Sequence, residues 1–340
     1  LEKAQEFITE EFYEKYCDRE QGPVVFCVGH THIDCAWLWT LKVTEDKAVR
    51  SFSTVLNLMK EYPEYIFMSS QPQLYKYVKK NAPQVYEQIR ERVKEGRWET
   101  EGGMFVEADC NLASGEALVR QFMHGKKFFK DEFGTDNKIL WLPDVFGYSA
   151  ALPQIMQKCG ISYFMTTKIS WNELNKMPYD TFEWEGIDGS RVLTHFIPTR
   201  DYNKAAVEGG TETEHFTTYN GYLNPSQMKG GWTRYSQKDL NDEVLCSFGF
   251  GDGGGGPSKE ELENQRRMRQ GIPGCPRTRM STALDFFEKL DKETKDSKYL
   301  PLWVGELYLE YHRGTYTSMA RNKKYNRKAE LAYQDEETYA

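Results

Sequence analysis

Apolar runs five or six residues long alternate along the chain with longer stretches in which apolar positions recur every three or four residues. "VVFCVG" (24–29), "YIFMSS" (65–70), "KILWLP" (138–143) and "SYFMTTK" (162–168) are short, bounded by polar residues, and read as buried strands. Between them, the stretch around 46–62, "APQVYEQIRERVKEG" (82–96) and "GEALVRQFMHGKKFFKDEFG" (115–134) have helical spacing. Ser114 caps the last of these and Gly134 stops it, as Gly96 stops 82–96 and Gly160 closes a shorter helix at 152–160. Strand and helix in this rhythm predict an α/β fold, a mostly parallel sheet with helices on its faces. The polar stretch 201–242, with Gly209-Gly210 and Gly230-Gly231, predicts an extended insertion or surface loop. After Leu302 the pattern becomes helix-rich and charged, the entry to a helical module.

In a parallel α/β sheet, ligands collect at the carboxyl ends of the strands, so the residues just behind each strand are the first candidates. Behind the first stands "HTHIDCAW", in which His30, His32 and Asp34 alternate; an extended backbone would aim all three to one side. Imidazole nitrogen and carboxylate oxygen suit zinc, with His30 in support; the plainer alternative is two core histidines and a helix cap at Asp34. Asp144 follows Pro143, with Phe146 and Gly147 just beyond. A carboxylate there can ligate a metal, act as a base, attack a substrate carbon, or simply accept backbone amides.

The third candidate is "LCSFGFGDGGGGPSKEELE" (245–263), a strand, a glycine loop and a helix opened by Pro257 with a Ser258/Glu261 capping box. Gly249, Gly251 and Gly254 satisfy GxGxxG, yet Asp252 would set a negative charge where a pyrophosphate lies, and no Lys-Ser/Thr follows. The glycines instead let the backbone approach a bulky ligand at which Asp252 points. In "TEGGMFVEADCN" (100–111), Glu107 and Asp109 alternate and are either solvated or bonded to sugar hydroxyls. Paired carboxylates beside rings such as Trp37, Phe146 and Trp171 are what glycoside cleavage needs.

Composition narrows the classes. The chain has 340 residues, 39% of them hydrophobic, and a net charge of −7 with the basic residues scattered among the acidic ones. No basic stripe is left to neutralise phosphates, which excludes nucleic acid as a partner. Seven widely spaced cysteines without a CxxC pair argue against a disulfide framework or a thiolate zinc site. The opening 17 residues form an amphipathic acidic helix rather than an export signal, and no run of 18 apolar residues occurs, so a cytoplasmic setting away from membranes is expected.

Taken together, "GHTHIDCAW", "WLPDVFGYS", "MTTKISWNE", "GFGDGGGGP" and "GELYLEYHRGTYTS" resemble the family-38 α-mannosidases, and more closely their cytosolic and bacterial branch. The resemblance implies a seven-stranded, mostly parallel sheet or barrel over 1–305, with 306–340 beginning a helical bundle. It implies zinc-dependent, retaining hydrolysis of α-linked mannose from oligosaccharides. Zinc, one per site, would be held by His32, Asp34 and Asp144, with Asp144 also the nucleophile and Asp252 the general acid/base. Trp37 matches the ring that stacks beneath the bound mannose, Phe146 an aromatic beside the nucleophile, and Lys168 a position where secretory relatives carry arginine. Asn172, Glu173, Glu107 and Asp109 are further candidates to face substrate. The family's fourth zinc ligand is a histidine in an "FHD" segment absent from this sequence, and His312 does not replace it. That ligand is expected outside this chain, which reads as a catalytic-domain fragment, weakly active or inactive alone. The resemblance leaves a homo-oligomer open. Rival readings are a metal-dependent carbohydrate deacetylase or amidohydrolase, and a carbohydrate-binding domain without catalysis.

Overall fold

The computed structural model describes residues 2–17, 22–202 and 217–340. The apolar runs form strands: β1 (Val24–His30), β2 (Phe67–Met68), β3 (Trp98–Glu99), β4 (Ile139–Trp141), β5 (Tyr163–Thr166), β6 (Thr181–Glu185), β7 (Arg191–Phe196), β8 (Glu243–Phe248), β9 (Arg277–Met280) and β10 (Leu302–Val304). They fall into two sheets. One has the order β3-β2-β1-β8, with β9 also paired to β1; the other has the order β10-β6-β7-β5-β4. All pairings are parallel except β6 with β7, a hairpin that the strand-and-helix rhythm does not predict.

The fold is therefore α/β with mostly parallel strands, as expected. The seven-stranded sheet is not seen as one hydrogen-bonded unit among the described residues. Between β3 and β4 the ladder shrinks to a single bridge, Gly102 to Leu140, because the chain turns away at Gly102 and Gly103, both with positive φ. The turn demands glycine: a Cβ at Gly102 would stand 2.4 Å from the Ser70 carbonyl oxygen.

Helices Leu41–Glu61, Pro72–Asn81 and Pro83–Lys94 cover the first sheet, and Phe52 and Phe67 meet Trp98 edge-on at centroid distances of 5.1 and 4.7 Å. Phe26, Trp141, Met165, Leu245 and Phe286 form a second cluster of buried side chains from both sheets. Each large ring taken out of water contributes roughly 1.5–3 kcal/mol, so these clusters fix where the strands end. Ser114 caps the helix Gly115–Phe133 through the Ala117 N–H, and Gly134 ends it at φ 77°. The Ser258/Glu261 capping box opens the helix Lys259–Met268.

The expected surface loop at 201–242 is corrected. Residues 203–216, with Gly209-Gly210, lie outside the described residues, but from 217 onward the segment is built into the body. Thr217, Tyr219, Gly221 and Leu223 are buried at alternate positions, and Gly221 bridges in parallel to Phe248. Gly230 and Gly231 stand inside the helix Pro225–Arg234. Gly230 is a close-packing glycine, since a Cβ there would lie 2.2 Å from the Arg200 carbonyl oxygen, whereas one at Gly231 would meet nothing nearer than 3.5 Å.

At the C-terminal side, Leu307 and Leu309 are buried and Leu307 exchanges backbone hydrogen bonds with Tyr148, so the packed body continues past 305. The helix Ala320–Tyr339 follows with no buried residue. No described helix is long and apolar enough to cross a membrane.

Candidate active site

The loops behind β1, β2, β4 and β8 meet, and each delivers a polar group. The β1 and β8 loops are tied together: the Asp34 N–H donates to the Asp252 carbonyl at 3.1 Å, and Ile33 bridges Gly253. Asp252 itself adopts φ 57°, a left-handed conformation that aspartate tolerates better than most residues. Gln71, just behind β2, donates from Nε2 to the Ile33 carbonyl at 3.0 Å and accepts the Glu107 N–H at 3.1 Å, bracing both loops.

At the centre is His32, whose side chain is 4% exposed. Its Nδ1 lies 2.8 Å from Glu107 Oε2, and the other Glu107 oxygen accepts the Ser70 hydroxyl at 2.8 Å. Its Nε2 faces Asp34 Oδ1 at 3.3 Å and Asp144 Oδ2 at 3.7 Å. His32, Asp144 and Asp252 each bring one ligand atom to within 4.8 Å of the others. Burial pulls the His32 imidazole down, but Glu107 and then Asp34 outweigh it, and its pKa ends well above the ordinary 6.5.

Lys168 holds the second Asp144 oxygen at 2.5 Å, and its ammonium sits over the rings of Trp171 at 3.9 Å and Phe146 at 5.1 Å. The Tyr219 hydroxyl donates to Asp252 Oδ1 at 2.7 Å, and its ring meets His32 edge-on at 5.1 Å. Burial first, then the charges of Asp144 and Asp252, raise the Tyr219 phenol far above its ordinary value, so it stays a donor.

The structure thus gathers His32, Asp34, Glu107, Asp144, Lys168, Phe146 and Asp252. It does not gather every candidate. His30 points away from the cluster: Nδ1 bonds the Met68 carbonyl at 3.0 Å, Nε2 accepts the Trp141 indole N–H at 3.3 Å, and burial lowers its pKa to about 3. It is a core histidine; the rest of the plainer alternative, a core His32 and a helix cap at Asp34, is not met, since His32 sits among Asp34, Glu107 and Asp144 and the following helix begins after Thr40. Asn172 is spent on backbone: Nδ2 donates to the carbonyls of Asn175 and Tyr308, and Oδ1 accepts the Glu310 N–H. Glu173 accepts the Tyr311 hydroxyl. Asp109 lines the cavity but uses Oδ1 to hold the amides of Asn111 and Leu112. Trp37 is 61% exposed and packs edge-on against Trp39. The His312 ring lies against Phe146 at a centroid distance of 4.5 Å, tilted by 44°.

Sequence reasoning misses Ser70, Gln71 and Tyr219. The signal for the first two is present, since "SSQ" directly follows the second strand. Tyr219 falls in the stretch read as a loop, where only the alternation from Thr217 to Leu223 betrays a buried extended segment.

Could this cluster hold a metal ion? His32 Nε2 is buried without a hydrogen-bond partner and faces carboxylate oxygens, which, like the nitrogen of the neutral ring, are metal donors. The donor set fits a divalent cation of nitrogen and oxygen preference.

Residues 23–306 match the family described as "Glycosyl hydrolases family 38 N-terminal domain". The chain is 43% identical over 329 residues to Alpha-mannosidase G of Dictyostelium discoideum, covering 97% of this chain and 28% of that protein. To Alpha-mannosidase 2C1 of Homo sapiens it is 44% identical over 318 residues, covering 94% and 29%. It therefore spans less than a third of the length of these relatives. Among solved structures, an alpha-mannosidase from Enterococcus faecalis V583 superimposes with a TM-score of 0.68 at 17% identity, over 84% of this chain and 31% of that one, a likeness of fold. With residues 23–306 matched, well over half of its length, the chain belongs to glycosyl hydrolase family 38, of which it carries the N-terminal domain.

Proposed function

We propose that this domain hydrolyses terminal α-linked mannose from oligosaccharides with retention of configuration, on a zinc ion, in the cytoplasm. The observation that carries the reading is the approach of two carboxylates, Asp144 and Asp252, to within 4.8 Å at a site walled by Phe146 and Trp171. Retention needs two carboxyl groups at one anomeric carbon, one to attack it and the other to protonate the leaving oxygen. Cys27, Cys35, Cys110, Cys159, Cys246 and Cys275 are free thiols, which suits a reducing compartment.

His32, Asp34 and Asp144 would hold the zinc, with Asp252 beside them. Bound there, the ion supplies Lewis-acid grip on adjacent sugar hydroxyls and charge compensation for the carboxylates. The remaining chemistry belongs to the chain. Lys168 fixes the plane of the Asp144 carboxylate, which would attack the anomeric carbon through one oxygen and hold the ion through the other. Asp252 protonates the leaving oxygen and later takes a proton from water; Tyr219, bonded to Oδ1, sets the carboxyl plane and leaves Oδ2 for transfer. Glu107 locks the His32 ring from behind, the usual partner of a metal-bound imidazole. With a ligand of the family pattern missing from the sequence, turnover by the 340-residue chain is expected to be slow. Proton NMR during cleavage of 4-nitrophenyl α-mannoside tests the reading: α-mannose forms first, and β-mannose as first product would overturn it.

A further inference from the structure

The cavity above Asp144 is larger than one sugar ring needs. It encloses about 800 Å³, at the upper end of the range that holds drug-sized ligands. Asp34, Glu107, Asp144 and Phe146 line it together with one face of the helix Ala320–Tyr339. That face presents Asn322, Lys323, Asn326 and Arg327, spaced so that all four share one stripe. Two of them are engaged: Lys323 Nζ donates to the Ser318 carbonyl at 2.6 Å, and Arg327 Nη1 donates to Glu330 Oε2 at 2.5 Å. The carboxamides of Asn322 and Asn326 are exposed to the cavity's solvent and make no hydrogen bond among the described residues.

Packing does not set this wall, since the helix buries none of its own residues. Polar ties do. Glu330 accepts the Ser114 N–H at 3.3 Å and Glu337 accepts Arg120 Nη1 at 2.7 Å. Just before the helix, the Tyr316 hydroxyl donates to the Phe146 carbonyl at 2.6 Å, two residues from Asp144. The wall is thus moored to the nucleophile's own loop.

The chemistry of an occupant follows. The carboxylates of Asp34, Glu107, Asp109 and Asp144 repel an anion, and a carboxamide offers both donor and acceptor, as neutral hydroxyls require. We infer that Asn322 and Asn326 form a subsite for the neutral sugar to which the cleaved mannose is attached, so that the site reads an oligosaccharide rather than a lone terminal ring. The inference rests on the mannoside reading above.

The test uses calorimetric titration of the zinc-supplemented 340-residue chain carrying Asp252→Asn to slow turnover, with methyl α-mannoside and an α-mannotriose as probes. Alanine is a better helix former than asparagine, so Asn322→Ala/Asn326→Ala added to this background keeps the helix. The trisaccharide should bind about tenfold tighter than the monosaccharide, the yield of one or two net hydrogen bonds. The double substitution should erase that advantage and leave methyl α-mannoside unchanged. Equal affinities in the parent, or an advantage that survives the double substitution, would overturn the subsite and leave the mannoside reading standing. Failure of both probes to bind would overturn both.

Discussion

Replacing Glu107 by alanine removes the carboxylate set against Nδ1 of His32, and the consequence for metal binding can be worked from the distances. Nδ1 lies 2.8 Å from Glu107 Oε2, and the two side chains are 4% and 7% exposed. An unpaired buried ring nitrogen costs roughly 1–3 kcal/mol. Losing the partner that orients a metal-bound imidazole lowers affinity roughly 10–100-fold, or about 1.4–2.7 kcal/mol, a range that overlaps the first. Glu107→Ala should therefore weaken zinc binding by that factor in competition with a chromogenic chelator, whether or not the protein turns over substrate. Glu107→Gln keeps the shape and the bond to Ser70 and should lose less. Ser70→Ala, which leaves Nδ1 paired, should lose least. A zinc affinity for Glu107→Ala within twofold of the wild type would refute the assignment of His32 as a ligand oriented from behind.

Tyr219→Phe removes the donor to Asp252 and should lower turnover about tenfold or more on mannosides with poor leaving groups, but little on 2,4-dinitrophenyl α-mannoside, whose departure needs no acid. An equal loss on both would place Tyr219 outside proton transfer. Arg234→Ala strands Asp180, whose side chain is 2% exposed, with only the Ser236 amide and hydroxyl, and urea denaturation should register a loss of roughly 3 kcal/mol. Burial raises Glu101 to about 8, with Glu99 adding repulsion, and burial raises Glu99 to about 7. Between the ordinary carboxyl value of 4.5 and these values the folded state binds more protons than the unfolded one, so stability falls as pH rises through that window. Glu101→Gln should shallow the decline in melting temperature over the window without abolishing it, since Glu99 still titrates; an unaltered slope would exclude Glu101 as its source.

Strands deep in the sheets were legible because burial on both faces leaves an uninterrupted apolar run, as in β1, β4 and β5. The β6–β7 hairpin escaped the strand-and-helix rhythm because β6 alternates buried Phe182 and Trp184 with half-buried Glu183 and Glu185, and β7, though buried from Val192 to Phe196, carries Thr194 and His195 inside its apolar run. Gly230 misled for a physical reason: glycine marks a turn and a close helix contact with the same letter, and only the backbone of Arg200 tells them apart. At the site, residues that face the chemistry stood out, since a histidine or aspartate behind a strand has a cost that needs a reason. Residues that brace it did not. Gln71 and Ser70 act through bonds to Ile33 and Glu107, partners 37 or 38 positions away that no local pattern connects. His30 shows the converse, a conspicuous histidine spent on the core.

The account turns on Asp144 forming a covalent bond to the sugar. Incubating the zinc-loaded chain with 5-fluoro-α-mannosyl fluoride, followed by peptic digestion and mass spectrometry, measures this directly. The prediction is a single fluoromannosyl adduct on the peptide containing Asp144, absent from Asp144→Ala; an adduct on another residue, or hydrolysis of the reagent with no adduct at all, would contradict it.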